Sequence, residues 1–283
     1  MTVSIRSALA EGAGVLATNG VTEPRLEASS LLAHTTSRDR AFIITHADDV
    51  LPPVQLETFR FLIARRAAGE PLQYLTGHQE FFKLDFEVTR DVLIPRPETE
   101  LVVETSLELL RDQHKPLIAD IGTGSGCIAV SLLHELPNAK AVATDTSTAA
   151  LEVARRNAER HGISGRLTFI ESDCLEGLSG QQQFTLIVSN PPYVSDKEMQ
   201  HLQREVRFEP RAALAGGPDG LSIIRRLLRG APKFLRAGGH LVFEFGFGQE
   251  ELLRKLIDTE RWRLLEIQKD LQKISRSMVL QKR

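Results

Sequence analysis

A short apolar run that ends at two prolines constrains this chain more than any other stretch. Phe184-Thr185-Leu186-Ile187-Val188 is bounded by polar residues and reads as a buried parallel strand. Asn190-Pro191-Pro192-Tyr193 stops it, because neither proline can donate to a β-ladder. An amide side chain and free backbone carbonyls are left at the carboxyl edge of a sheet, where open α/β sheets bind ligands. The plainer alternative is a rigid loop that merely ends a strand, and the upstream sequence weighs against it.

From about residue 98 the pattern alternates strand and helix. Leu117-Ile118-Ala119-Asp120-Ile121 is a strand, followed by a glycine-rich turn and a helix to about His134. Ala141-Val142-Ala143-Thr144 is the next strand, with a helix from Thr146 to about Arg160, and Leu167-Thr168-Phe169-Ile170 is the third. A helix through residues 221–228 leads to His240-Leu241-Val242-Phe243-Glu244, and the last 20 or so residues read as two more strands. Such alternation means a mostly parallel, doubly wound sheet.

Residues 1 to about 70 are different. Ile5, Leu9, Gly12 and Leu16 recur at helical spacing, and further helices are expected after Pro24, through Arg40 to Ile44, and after Pro52-Pro53. Four short helices with apolar faces make a small bundle. No catalytic constellation lies in it, so binding or positioning is its expected role. Between bundle and sheet, Phe82, Leu84, Phe86 and Val88 alternate with polar residues. A turn at Thr89-Arg90-Asp91 and a second strand at Val92-Leu93-Ile94 complete an expected linking hairpin.

The glycine-rich turn is Gly122-Thr123-Gly124-Ser125-Gly126, directly after Asp120-Ile121. Glycines at alternate positions let the backbone turn tightly and approach a ligand. The dinucleotide fingerprint needs its third glycine three places after the second, where this chain has Cys127. An acidic residue followed by G-x-G-x-G is instead the pattern of S-adenosylmethionine enzymes. Asp145, at the end of the second strand, is placed to bond ribose hydroxyls, or else to cap the next helix. Asp173 and Cys174 follow the third strand, where adenine would lie; Asp173 either accepts from the adenine amino group or simply shapes the loop.

Composition excludes other classes. The 35 Lys+Arg and 37 Asp+Glu give a formal net charge of -2, without the basic excess usual in duplex-binding proteins, so no DNA partner is expected. Cys127 and Cys174 form no C-x-x-C pair and the eight histidines form no H-x-H or H-E-x-x-H pair, so no metal is expected. No run approaches a membrane span and the N-terminus lacks an apolar signal region, so a cytoplasmic location without a membrane partner is the default expectation.

Together these motifs resemble a class I S-adenosylmethionine-dependent methyltransferase acting on amino groups. Ile94-Pro95-Arg96-Pro97-Glu98-Thr99-Glu100, Gly77 with Glu80-Phe81, Glu209-Pro210 and Gly216-Gly217-Pro218-Asp219-Gly220-Leu221 further resemble the HemK/PrmC family. That resemblance covers essentially the whole chain. It implies a Rossmann-like domain with a mostly parallel seven-stranded sheet over 98–283, a helical substrate-docking domain over 1–75 and a β-hairpin linker over 76–97. It also implies methyl transfer to the N5 amide nitrogen of the glutamine in the Gly-Gly-Gln motif of class I peptide chain release factors, with S-adenosylhomocysteine as product; a monomer is expected. Gly122, Thr123, Gly124, Ser125, Gly126, Asp145, Asp173, Cys174 and Asn190 would hold the cofactor. Asn190, Pro191, Pro192 and Tyr193 would hold the glutamine, with Asn190 and Pro191 catalytic. Cys174 stands where relatives often carry an aromatic residue. A nucleic-acid amino-methyltransferase would share the Asn-Pro-Pro-Tyr stretch, but the acidic balance argues against it.

Overall fold

A computed structural model describes residues 2–283. The chain divides into two compact units. One comprises Met1–His78 together with Gln203–Phe208, and the other comprises Gln79–Leu202 with Glu209–Arg283.

The helical unit contains α1 (Ile5–Thr18), α2 (Pro24–Thr36), α3 (Arg40–Thr45), α4 (Pro53–Ala67) and α5 (Leu72–Thr76). Ser4 caps α1 by accepting from the Ser7 N–H, and Asp39 caps α3 through Phe42 N–H. Ile5, Leu16, Leu31, Leu32, Phe59 and Ile63 form its core. Gly12 lets α1 and α4 approach closely, since a Cβ there would lie 2.7 Å from the Phe59 ring. The sequence reading gave four helices and passed over α5, a single turn lying between Pro71 and Gly77, too short to show a period.

The segment Gln203–Phe208 belongs to this helical unit although the sequence on either side of it does not. Arg66, with its side chain only 7% exposed, pairs with Glu27 and with Glu205 at 3.2 Å. Arg204 donates to the Ala67 carbonyl at 2.6 Å and lies against Gly69, where any Cβ would meet the Arg204 side chain at 2.5 Å.

The second unit opens one residue into β1 (His78–Phe81), which forms a hairpin with β2 (Leu84–Glu87). Its turn is Phe82-Lys83, both at positive φ (48° and 61°), as a two-residue hairpin turn requires. The expected hairpin was placed further along, with Val92-Leu93-Ile94 as its second strand. Those residues are not a strand. The Ile94 N–H donates to the Glu209 carboxylate at 3.2 Å instead of to a ladder, and Pro95 and Pro97 on either side of Arg96 have no N–H to offer.

The remaining elements are α6 (Glu100–Leu110), β3 (Leu117–Ile121), α7 (Cys127–Glu135), β4 (Lys140–Asp145), α8 (Thr148–Arg160), β5 (Leu167–Glu171), β6 (Phe184–Ser189), α9 (Arg211–Leu214), α10 (Ser222–Gly230), β7 (Leu235–Glu244), α11 (Glu250–Leu256), β8 (Trp262–Lys269) and β9 (Ser275–Lys282). The sheet runs β5-β4-β3-β6-β7-β9-β8. The five strands β3 to β7 pair in parallel, and β9 pairs antiparallel with both β7 and β8. Alternate strand residues serve opposite cores. Ile118, Ala141, Leu186, Val188 and Val242 pack with Val102, Ile128 and Leu132 of α6 and α7. Ala119, Val142, Ile187, Leu241 and Phe243 pack with Ile224, Leu227 and Leu253 of α10 and α11. Burial on both faces explains why these strands read as continuous apolar runs. The order reverses at β3, flanked by β4 on one side and β6 on the other, so the loops after β3 and β6 open at a topological switch point.

Candidate active site

Three loop systems at the carboxyl edge of the parallel strands enclose a cavity of about 230 Å³. The first is the glycine-rich turn after β3. Asp120 is fully buried, and its Oδ2 accepts from the Thr123 hydroxyl at 2.7 Å and from the Ala129 N–H at 3.3 Å, tying the turn to the first turn of α7. Burial pushes the Asp120 carboxyl up to about 6, against the pull of those two donors. Gly122 and Gly124 stand at positive φ, and a Cβ on either would meet nothing within 4 Å. They leave the cavity open where side chains would project. Gly126 does a different job: a Cβ there would sit 3.1 Å from that of Ala154, so it admits close packing of α8.

The second system follows β4 and β5. Asp145 Oδ2 accepts from Gly124 N–H and Oδ1 from Ser147 N–H, each at 2.9 Å. The helix cap is not Asp145 but Ser147, whose side chain accepts from the Ala150 N–H; α8 starts at Thr148, two residues later than expected. Each carboxylate oxygen keeps a free lone pair, and Asp145 lines the cavity. Asp173 and Cys174 also line it. The Asp173 carboxylate pairs with Arg226 at 2.7 Å, and the buried Cys174 takes a positive φ of 56°. Burial raises the Cys174 thiol, so it is held as a neutral, weakly polar wall.

The third system follows β6. Asn190, Pro191 and Pro192 line the same cavity as the glycine turn, whereas Tyr193 and Gly126 are not part of its wall. The Tyr193 hydroxyl donates to Glu244 Oε1 at 3.1 Å, and burial raises its pKa. The backbone here is braced from outside. Gln249 Nε2 donates to the Tyr193 carbonyl at 2.9 Å, and Val194 N–H donates to the Leu214 carbonyl at 2.9 Å. Gly216 and Gly220 allow this approach, since a Cβ on either would fall 2.7 Å from the Pro192 oxygen or 2.2 Å from the Tyr193 oxygen. The Asn190 Nδ2 donates to Thr99 Oγ1 at 2.9 Å, and the Thr99 hydroxyl donates to Glu244 Oε2 at 2.6 Å.

Three residues of this site were not singled out for a role in the sequence. Glu209, its side chain 1% exposed, holds the Ile94–Arg96 stretch through Ile94 N–H and an ion pair with Arg96. Thr99 and Glu244 are 145 residues apart. A charged residue ending the apolar strand Leu241-Val242-Phe243 was the available signal for Glu244.

The sheet order, the glycine turn at its switch point and the Asn-Pro-Pro-Tyr edge define a Rossmann-like methyltransferase. Solved structures share this fold: the hMettl16 catalytic domain in complex with MAT2A 3'UTR hairpin 1 (TM-score 0.58, 16% identity, 77% of this chain and 79% of that one). A second is the ribosomal protein L11 methylase of Lactobacillus delbrueckii subsp. bulgaricus (TM-score 0.50, 19% identity, 72% and 88%). Family models for the PrmC N-terminal domain and the methyltransferase small domain match residues 7–77 and 99–217. Curated relatives include the release factor glutamine methyltransferases of Moorella thermoacetica, 48% identical over 90% of this chain and 89% of that one, and of Geobacter sulfurreducens, 48% identical over 88% and 86%. This chain belongs to the release factor glutamine methyltransferase family.

Proposed function

We propose that the protein transfers a methyl group from S-adenosylmethionine to the side-chain amide nitrogen of the glutamine in the Gly-Gly-Gln motif of class I peptide chain release factors. It acts as a cytoplasmic monomer without a metal. Among the described residues no cluster could hold a metal ion, and no helix is long and apolar enough to cross a membrane. The observation that carries the reading is one cavity lined both by the open glycine turn with Asp145 and by Asn190 with Pro191.

The residues present fit the cofactor. The glycine turn leaves room for it, and Asp145, which lines the cavity, retains acceptor capacity for ribose hydroxyls. Asp173 and Cys174 are read as the adenine wall, with Thr123 and Ser125 shaping the turn. When bound, S-adenosylmethionine supplies an electrophilic methyl group.

The chain's own contribution is to aim the acceptor. A primary amide nitrogen is a poor nucleophile because its lone pair is delocalised into the carbonyl. Asn190 Oδ1 and the Pro191 carbonyl accept its two N–H groups, fix its approach and stabilise positive charge as it develops on nitrogen. The proton then leaves to water, since an alkylated amide cation is strongly acidic. Pro192 and Tyr193 keep this edge rigid. Incubating the enzyme with labelled S-adenosylmethionine and, separately, a release factor, duplex DNA and rRNA tests the assignment. Label in the release factor alone is expected, and label only in nucleic acid would overturn it.

The helical unit is read as the release-factor docking surface. Val54 and Phe61, 75% and 61% exposed, lie seven residues apart on one face of α4. Changing both to Ser in the full chain is expected to lower kcat/KM for intact release factor and not for a short Gly-Gly-Gln peptide; equal effects on both substrates would argue against docking there.

A further inference from the structure

An asparagine amide is nearly the same shape either way round, so sterics alone do not decide whether its oxygen or its nitrogen faces a ligand. Hydrogen-bond polarity decides it. At Asn190 the deciding groups are two residues distant in sequence. Glu244 ends β7, and Thr99 closes the short turn Pro97–Thr99 before α6. Both are almost entirely buried, at 2% and 1% exposure, so bulk water cannot stand in for either.

Burial raises the Glu244 carboxyl to about 7, and above that pH it is a carboxylate, which only accepts. Glu244 Oε1 takes the Tyr193 hydroxyl and Oε2 takes that of Thr99. The single Thr99 proton is thereby committed. Toward Asn190, Thr99 has only lone pairs, and it must receive an N–H. The Asn190 nitrogen is drawn inward, and among the described residues its Oδ1 takes no hydrogen bond. Turning the amide over would set its oxygen against the Thr99 oxygen, two acceptors face to face in a dry site.

We propose that Glu244 and Thr99 are a positioning relay that holds the Asn190 amide with its oxygen toward the methyl acceptor. The proposal rests on the reading of Asn190 as the acceptor of an amino N–H. It adds that the polarity of Asn190 is imposed from β7, through a hydroxyl with one proton to give. A proton on Glu244 Oε2 would undo it, because the acid would donate to Thr99 and free that hydroxyl to donate to the Asn190 oxygen. Charged and titratable groups around Glu244 include Glu98 on the turn before α6, Cys127 at the start of α7, Arg276 on β9, and Tyr193 after β6, with Arg96 bearing on Tyr193. Neither Thr99 nor Glu244 touches the reacting atoms on this account.

Thr99→Val keeps the shape and removes the relay; Thr99→Ser keeps the hydroxyl. Two readouts are taken on the full-length enzyme. One is kcat and KM with release factor. The other needs no turnover: the side-chain amide signals of Asn190 in 15N-labelled protein, assigned by their loss in Asn190→Asp. Thr99→Val is expected to move those signals and to lower kcat at least about tenfold, with KM for S-adenosylmethionine within about twofold. Thr99→Ser should recover most of kcat and leave the signals near those of the wild type. Glu244→Gln, which can donate as well as accept, should broaden or double the Asn190 signals, and it serves should the valine variant fail to fold. Unmoved Asn190 signals overturn the relay whatever kcat does. Moved signals with full kcat in Thr99→Val overturn it too. If the wild type methylates no release factor, the functional reading falls while the amide signals still decide the relay.

Discussion

Asn190 and Asp145 border the same cavity but should fail differently when removed. On the proposed reading, Asn190→Ala deletes one acceptor that faces the charge developing during transfer, a loss on the order of 3 kcal/mol in the barrier. Its kcat should fall at least about a hundredfold with cofactor affinity nearly unchanged, as single-turnover rates beside calorimetry would show. Asp145→Ala removes the acceptor of Gly124 N–H and Ser147 N–H as well as any ribose contact. Cofactor affinity should drop by roughly 1–3 kcal/mol in calorimetry, with a smaller effect on kcat at saturation. Asn190 and Asp145 were legible in the sequence because their signals are local: an abrupt proline stop, and a carboxylate at a strand end. Thr99 and Glu244 were not, because a hydrogen bond between residues 145 positions apart leaves no spacing to read.

Among the elements, the β1–β2 hairpin carries a correctable strain. Lys83 is exposed and sits at φ 61°, where a side chain costs about 1 kcal/mol relative to glycine. Lys83→Gly should raise the urea midpoint by the equivalent of roughly 0.5–1 kcal/mol, and Lys83→Val should lower it. The hairpin also shows where sequence reading ran out. The alternation of Phe82, Leu84, Phe86 and Val88 is real, but its first residue lies in the turn. Asparagine and glycine, which usually announce such a turn, are missing, so the register slipped downstream. Helix α6 follows directly on the proline-rich stretch with no N-cap side chain to mark its start, although Val102, Val103 and Leu110 give it a helical apolar face. Strands β3 to β6 were read to within a residue at either end, whereas β7 was begun at His240 and misses Leu235–Gly239, where Arg236, Gly238 and Gly239 interrupt the apolar run.

At the scale of the whole molecule, two buried carboxyls should leave a mark on stability. Burial raises Glu244 from 4.5 to about 7, above the opposing effect of Thr99 and Tyr193, and Asp120 from 3.8 to about 6. The folded protein therefore holds these protons after the unfolded chain has lost them. Their stabilising contribution is full below pH about 4 and is lost as pH rises through 6 and 7. Relative to Glu244→Gln, the wild type should lose stability on the order of 2–3 kcal/mol between pH 5 and pH 8, measured by urea unfolding at each pH. A difference that stays constant with pH would show that Glu244 is already ionised at the acid end.

The passage of Gln203–Phe208 through the helical unit has a consequence for exchanging parts between relatives. The polypeptide crosses from one unit to the other three times, after His78, after Leu202 and after Phe208. A graft cut only near residue 78 would bring in a foreign bundle without the Arg204 and Glu205 that its own Ala67 and Arg66 counterparts grip. The hexapeptide has to travel with the helices it belongs to. Hybrids made with two inserts should melt as cooperatively as their parents, and hybrids made with one should not.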